Sequence, residues 1–342
     1  MKVLFVCSGN STNFKVAPFI KAQGDSLEAL GVTVAYFPVH GKGISGYLKA
    51  GLRLRHHLKH NAYDLIHAHF SLSGWAAVLG AAGGNTPVIL SLMGDDAQGD
   101  YIGVNKIRFS SRFFMLSSLL IQPFVKAVIS KAPNLERFVY LKHKSYVIPN
   151  GVDLHTFKPS EEDHRQELGL HPDKQYVLFL GSRERIGKNY PLAAQAVASL
   201  QAADVELINP FPVAHQDIPK YLNAASVLVV PSFMEGSPNV VKEAMACNCP
   251  IVATNVGDIS WVIGNTEGCY LASHSPEDFS AKLQQALAFA SQRGRTDGER
   301  RIRQLGLDAE SVAQQVLQVY QQCTSSPWHR PQYGHTPQLQ EA

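Results

Sequence analysis

Short apolar runs separated by longer mixed stretches set the rhythm of this chain. "VLFV" at 3–6, "VTVAYF" at 32–37, "DLIHAHF" at 64–70, "PVILSL" at 87–92, "AVIS" at 127–130 and "YVIP" at 146–149 are rich in β-branched residues and mostly apolar at consecutive positions. A strand with that pattern is buried on both faces, as in a parallel sheet covered by helices. The segments between the runs have helical length and periodicity, so the alternation predicts a doubly wound α/β unit. The rhythm then restarts with "YVLFLG" at 176–181, "VELIN" at 205–209, "SVLVVPS" at 226–232, "PIVAT" at 250–254 and "CYLA" at 269–272. The polar stretch "DLHTFKPSEEDHRQELGLHPDK" separates the two sets and places a boundary near 155–175. The expected architecture is two Rossmann-like domains, 1–160 and 161–307, facing each other across a cleft.

In "AESVAQQVLQVYQQC", Val312, Val316, Val319 and Tyr320 share one helical face. A last helix over 308–322 is therefore expected to pack across the junction and complete the first domain. The tail 323–342, with its Pro, His and Gln, offers little to bury and is expected to be disordered. At the N-terminus the apolar run ends at Cys7, shorter than the core of a secretion signal, and reads as a strand. "FFMLSSLLIQPF" at 113–124 falls short of a membrane span, is broken by serines and Pro123, and is expected in the core.

Composition changes this picture little. A chain of 342 residues with 45% hydrophobic and 17% charged residues is an ordinary globular protein. A formal charge of +3 is too mild for a nucleic-acid surface, though it suits anionic small molecules. Five cysteines, an odd number without metal-ligand spacing, fit a reducing compartment, so a cytoplasmic location is expected.

Chemistry concentrates in "EGSPNVVKEAMACNC" at 235–249. Glu235 and Glu243 are eight residues apart, too far along a helix to share one partner directly. The turn between them follows an expected strand, where open α/β sheets bind ligands. Pro238 and Asn239 suit a helix start, whose free N–H groups and positive dipole end favour a diphosphate. Glu243 would then face a ribose diol, and Glu235 whatever lies beyond the phosphates. A second loop, "GSRERIGKN" at 181–189, offers Arg183 and Lys188 as cations. Each carboxylate alone reads equally well as a helix-dipole complement, and the loop alone as solvated surface.

Taken together, "IPNGVDLHTF" at 148–157, the Arg183/Lys188 pair, "VVPSFMEGSPNVVKEAMACNCPIVATNVGDI" at 229–259 and "YDLIHAHFSLSG" at 63–74 resemble the retaining family-4 glycosyltransferases of the GT-B fold. The resemblance covers most of residues 1–322. It implies that Arg183 and Lys188 neutralise a donor diphosphate and that Glu243 holds the ribose. It also implies that Glu235 and the backbone of Gly236, Ser237, Pro238 and Asn239 face the transferred sugar, with Val240 also on the donor side. Its "EGSPN" wording looks like members that build cell-surface polysaccharides.

The "SGNSTN" loop at 8–13 resembles the one that brings Gly9 and Asn10 toward donor phosphate and acceptor; it lacks the spacing of a dinucleotide fingerprint. His67 and His69 alternate along a strand and suit either a buried, hydrogen-bonded role or, for His69, an acceptor-facing one. Met93 stands where many family members have histidine, which leaves Asp95 or Asp96 to orient an acceptor. Asp95, Asp96 and Asp100 also read as a hard-cation site. With the phosphates already met by cations and a helix terminus, no metal and no cofactor is expected.

The implied donor is a UDP- or GDP-linked sugar, the acceptor a glycan or a lipid-linked one, and the outcome retention at the anomeric carbon by front-face displacement. A sugar-nucleotide epimerase or a non-catalytic scaffold on the same fold are the alternatives. "LRLRHHLKH" at 52–60 reads as a solvated helix face, or as a dock for anionic lipid at the inner membrane face, with 113–124 assisting.

Overall fold

Val3 through Cys7 are buried without interruption, as expected of a strand covered on both faces. The computed structural model describes residues 1–11, 14–41 and 43–325. Its first half begins β1 (Lys2–Ser8), α1 (Pro18–Ala29), β2 (Thr33–Val39), α2 (Gly43–His60), β3 (Leu65–His69), α3 (Ser71–Ala81) and β4 (Val88–Leu92). It continues with α4 (Asp95–Gln98), a hairpin of β5 (Tyr101–Gly103) and β6 (Lys106–Ile107), α5 (Arg112–Leu120), β7 (Ala127–Ser130), α6 (Pro133–Glu136) and β8 (Ser145–Val147). The second half runs β9 (Gln175–Leu178), α7 (Tyr190–Ser199), β10 (Val205–Ile208), α8 (Ile218–Ala224), β11 (Val227–Val230), α9 (Asn239–Ala246) and β12 (Ile251–Thr254). It ends with α10 (Ile259–Ile263), β13 (Cys269–Ala272), α11 (Pro276–Arg293), α12 (Gly298–Gln304) and α13 (Ala309–Thr324).

Six parallel strands form the first sheet in the order β2-β1-β3-β4-β7-β8, and five parallel strands form the second in the order β10-β9-β11-β12-β13. The direction of winding reverses between β1 and β3 and again between β9 and β11. Ligands bind open α/β sheets at the carboxyl ends of strands beside such a reversal, so the loops after β1, β9 and β11 are placed for function. The β5–β6 hairpin is absent from the apolar pattern because strands of three and two residues are too short to show a period.

Two apolar anchors hidden in the polar linker move the boundary. Val152 and Phe157 are buried in the core of the second half, so a first domain ending at 160 is too long. The chain crosses at Asn150–Val152 and returns beside itself at Leu307–Ala309. Val152 N–H donates to Leu307 O and Ala309 N–H donates to Val152 O, both at 2.9 Å. A Cβ on Gly151 would lie 2.7 Å from Ala309 Cα, so this close approach requires glycine.

Beyond the crossing, Asp308 caps α13 by accepting from Ser311 N–H at 2.8 Å. Val312, Val316, Val319 and Tyr320 are buried on the first sheet with Val3, Phe5, Ile20 and Leu27. The tail expected to be disordered lies outside the described residues from 326 onward.

The expectation of core packing for 113–124 holds for Ile121, buried in the core of the first half, and is corrected for Phe113, Leu116, Leu120 and Phe124. Helix α5 turns Ser117 and Ser118 inward, where Ser118 Oγ donates to Asp96 O at 2.5 Å, and leaves Phe113, Leu116, Leu120 and Phe124 exposed. Among the described residues no helix is long and apolar enough to cross a membrane.

Candidate active site

A cavity of about 890 Å³ lies between the halves at the strand ends. Ser11, Phe14, Met93 and Lys131 line it from the first half; Lys188, Glu235 and the turn leading into α9 line it from the second. The turn is held in place by close packing. A Cβ on Gly236 would meet Leu135 of the first half at 2.8 Å, and Asn134 Nδ2 donates to Glu235 O at 3.0 Å. Pro238 stands at the N-cap of α9, so the helix starts at Asn239 with its first N–H groups toward the cavity.

The two glutamates that frame this turn have separate partners. Glu235 Oε1 accepts from Lys188 Nζ at 2.6 Å and from Ser232 Oγ at 2.7 Å. Burial pushes the Glu235 carboxyl up, but the Lys188 ammonium and the Ser232 hydroxyl outweigh it and hold the group below the usual glutamate value. Glu243, one turn into α9, lies with Oε1 3.1 Å from His215 Nε2. That bond raises the His215 pKa above its ordinary value despite partial burial. His215 carried no signal in the sequence, since its loop after β10 has neither glycine punctuation nor a spacing that links it to Glu243.

Behind the turn, Lys242 Nζ donates to Asn150 O at 2.8 Å and to Ser237 Oγ at 2.9 Å, tying the turn to the crossing. Burial brings the Lys242 amine down to about 8. Lys131, after β7, has no hydrogen-bond partner for Nζ among the described residues; burial, with the Lys242 charge nearby, brings its amine down to about 7. Neither lysine stood out in the sequence, because both sit inside apolar runs.

The remaining candidates are placed elsewhere. Arg183 lies outside the cavity lining, its guanidinium 4.7 Å from the Tyr190 ring. Arg185 instead crosses the cleft to pair with Asp95. Gly9 is packed so tightly that a Cβ would meet Pro38 at 2.7 Å. Asn10 is tied to Gly41 by two bonds of 2.9 Å, so the loop is braced, and Ser11 lines the cavity.

Two acceptor-side assignments are corrected. The Asp96 carboxylate is fully buried and accepts from the N–H groups of Ser71, Met93 and Gly94 at 3.0, 2.9 and 3.1 Å, so it braces the loop after β4. His69 is buried within the sheet, 4.7 Å from the Phe5 ring and 4.3 Å from the His67 ring, with both nitrogens unpartnered among the described residues. Burial holds its pKa well below the ordinary value. His67 on the same face has its nitrogens 2.6 Å from the Tyr320 hydroxyl and 2.8 Å from that of Ser91. Among the described residues no three His, Cys, Asp or Glu side chains converge on a metal-sized site.

Comparison with known proteins agrees with this fold. The profile described as "Glycosyl transferases group 1" matches residues 177–288, and "Glycosyltransferase Family 4" matches residues 2–156. A D-inositol 3-phosphate glycosyltransferase of Nocardiopsis dassonvillei is 26% identical over 314 residues, covering 77% of this chain and 71% of its own. The sucrose-phosphate synthase structure from Thermosynechococcus elongatus superposes with a TM-score of 0.75 at 20% identity, over 94% of this chain and 98% of that one. Anabaena HepE in complex with UDP superposes with a TM-score of 0.67 at 16% identity, over 93% and 99%.

Proposed function

From the premise that the chain belongs to the family-4, group 1 glycosyltransferases and moves a sugar from a nucleotide-sugar donor, we propose how its cleft divides the work. The donor diphosphate lies at the start of α9, over the backbone N–H groups of Ser237, Asn239 and Val240. Lys188 meets it directly, and Arg183 does so once its side chain leaves the Tyr190 ring. Glu243 holds the ribose diol and gives up His215 to do so. Glu235 faces the transferred sugar, where its carboxylate stabilises the positive charge that develops as the bond to phosphate breaks.

Transfer proceeds with retention, the departing phosphate taking the acceptor proton on the face it leaves. Catalysis is then positioning and electrostatics, with no resident metal. Asp95, half-exposed at the cleft edge, orients the acceptor, a glycan or a lipid-linked one at the inner membrane face, as in cell-surface polysaccharide assembly. UDP or GDP is the carrier; the HepE structure holds UDP.

One observation carries this division: Glu235 with Lys188, and Glu243 with His215, flank a single helix terminus inside one cavity. An epimerase needs an acid/base pair facing the sugar for elimination, and a Glu235 already neutralised by Lys188 is a poor base. A thermal-shift panel of nucleotides tests the donor side. A ligand that binds only the folded state adds about 2.7 kcal/mol at a hundred times its dissociation constant. A shift with one nucleoside diphosphate identifies the carrier, and no shift with any of them refutes the site.

A further inference from the structure

Helices α2 and α3 cover the first sheet on the side opposite α13, and α5 packs against the far flank of α3. Gly51 of α2 admits Leu79 of α3, and Gly80 of α3 admits Leu54 of α2. On the other flank Trp75 Nε1 donates to Ser117 Oγ at 3.0 Å, and its ring lies 5.6 Å from that of Phe124.

The outward surface of this layer is apolar. Phe109, Phe113, Leu116, Leu120 and Phe124 follow one another at intervals of three or four, which is one stripe along α5 and its flanking turns. Each is between 47% and 79% exposed. Ile44, Leu48 and Leu52 repeat the pattern on α2, and the half-buried Leu72, Trp75 and Leu79 lie between the two stripes. Isolated exposed apolar residues need no explanation, but a stripe on each side of an apolar middle helix does.

Charge says what covers it. The chain has 28 acidic residues, yet none falls within 43–60, 71–81 or 109–124. The same segments expose Lys49, Arg53, Arg55, Lys59 and Arg112, the last with its guanidinium 5.3 Å from the Phe109 ring. Cations without acids, set around bulky apolar side chains, match an anionic bilayer: the charges sit at headgroup depth and the rings reach the acyl boundary. A second copy of the chain would instead bring these cations against one another. The α5 stripe also starts beside the cleft. Ser110, Ser111 and Phe114 line a cavity of about 280 Å³ that continues to Asp95 and Arg185.

We propose that the α2–α3–α5 layer docks on a bilayer containing anionic lipid and sets the mouth beside Asp95 against the membrane that carries the acceptor. The acceptor half of this statement rests on the proposed transfer to a lipid-linked acceptor; the docking half does not.

The test uses the full chain and vesicles of phosphatidylcholine, with and without one-third phosphatidylglycerol. Sedimentation should show partitioning onto the mixed vesicles, weak partitioning onto phosphatidylcholine alone, and loss with added salt. Each cation near such a surface contributes about fivefold in affinity, so Arg53→Glu, Arg55→Glu and Lys59→Glu together should lower partitioning more than a hundredfold. Leu116→Glu with Leu120→Glu should lower it through the apolar term, and both sets should keep the nucleotide thermal shift, since none of these side chains is in the cleft. Absence of partitioning, or partitioning that neither set changes, overturns the proposal. So does a concentration-dependent dimer that Leu116→Glu with Leu120→Glu disperses while vesicles stay unbound. Vesicle binding without any nucleotide shift would instead sink the donor assignment and leave docking standing.

Discussion

Replacing Glu235 with Gln removes one charge from a site that the fold keeps mostly dry. The Glu235 side chain is 13% exposed and Lys188 24%. A sugar cation developing about 4 Å from the carboxylate would be stabilised by about 4 kcal/mol at an effective dielectric of about 20. Lys188, at 2.6 Å, already draws on the same carboxylate, so the share left for the transition state is about 3 kcal/mol, or roughly a hundredfold in kcat. The amide can keep the bond from Ser232, while Lys188 turns wholly to the diphosphate. Nucleoside diphosphate affinity should therefore hold or tighten slightly, and the loss of the half-shielded pair should cost about 1 kcal/mol of stability. Glu243→Gln is the contrast: a ribose contact made equally in ground and transition states, worth about 1–3 kcal/mol, falls on KM and spares kcat. Initial rates over a donor series, with calorimetric titration of the diphosphate, separate the two. If both substitutions weaken diphosphate binding equally and modestly while kcat stays intact, the spacing of eight is a helix-capping coincidence and the division of labour is wrong.

Chelating divalent cations should leave transfer largely intact, because Lys188 and the α9 terminus supply the counter-charge; loss restored by added metal would promote Asp95 and Asp100 to ligands. Truncation at Asp308 should unfold or inactivate the chain, since it strips Val312, Val316, Val319 and Tyr320 from the first core, at about 1.5–3 kcal/mol for each large side chain, whereas removing 326–342 should not. A stable, active truncation at Asp308 would refute this. His215 has its folded pKa raised by Glu243, so the protonated pair is fully formed below about 6.5 and is lost as pH rises through the raised value. Because the ribose must take Glu243 from that imidazolium, the donor KM should fall as pH rises through the same window. His215→Gln should flatten the profile, and equal pH slopes in the two proteins would count against the competition.

What the sequence shows well is what repeats. Short uninterrupted apolar runs rich in β-branched residues, such as Val3–Cys7, read as strands buried on both faces, and the turn after "SVLVVPS" falls at a strand end whichever neighbour it has. The Val312–Tyr320 face was visible for the same reason. Less visible was anything that needs a partner far along the chain. Glu243 and His215 are close only because β10 and β11 both flank β9; the Asp95–Arg185 pair exists only across the cleft. The linker hid Val152 and Phe157 because two apolar residues among charges carry no period. Asp96 and His69 show the opposite failure: residue types suited to chemistry that the loop after β4 and the interior of the sheet use for support. In 113–124 composition pointed inward, but only Ile121 joins the core beside the two serines, while Phe113, Leu116, Leu120 and Phe124 are exposed.

Helix α13 also bears on the order in which the chain can finish folding. During synthesis the first sheet emerges as soon as β8 is complete, with α1 already beside β1, yet the share of that face that α13 covers waits for the last helix. Val3, Phe5, Ile20 and Leu27 then keep only their first-half neighbours while the whole second half is made, and apolar surface left open in that way is where nascent chains go astray. The first domain to be started is thus the last to be closed, and a chain cut short just after α12 would carry a second half near completion beside a first half that is still sticky.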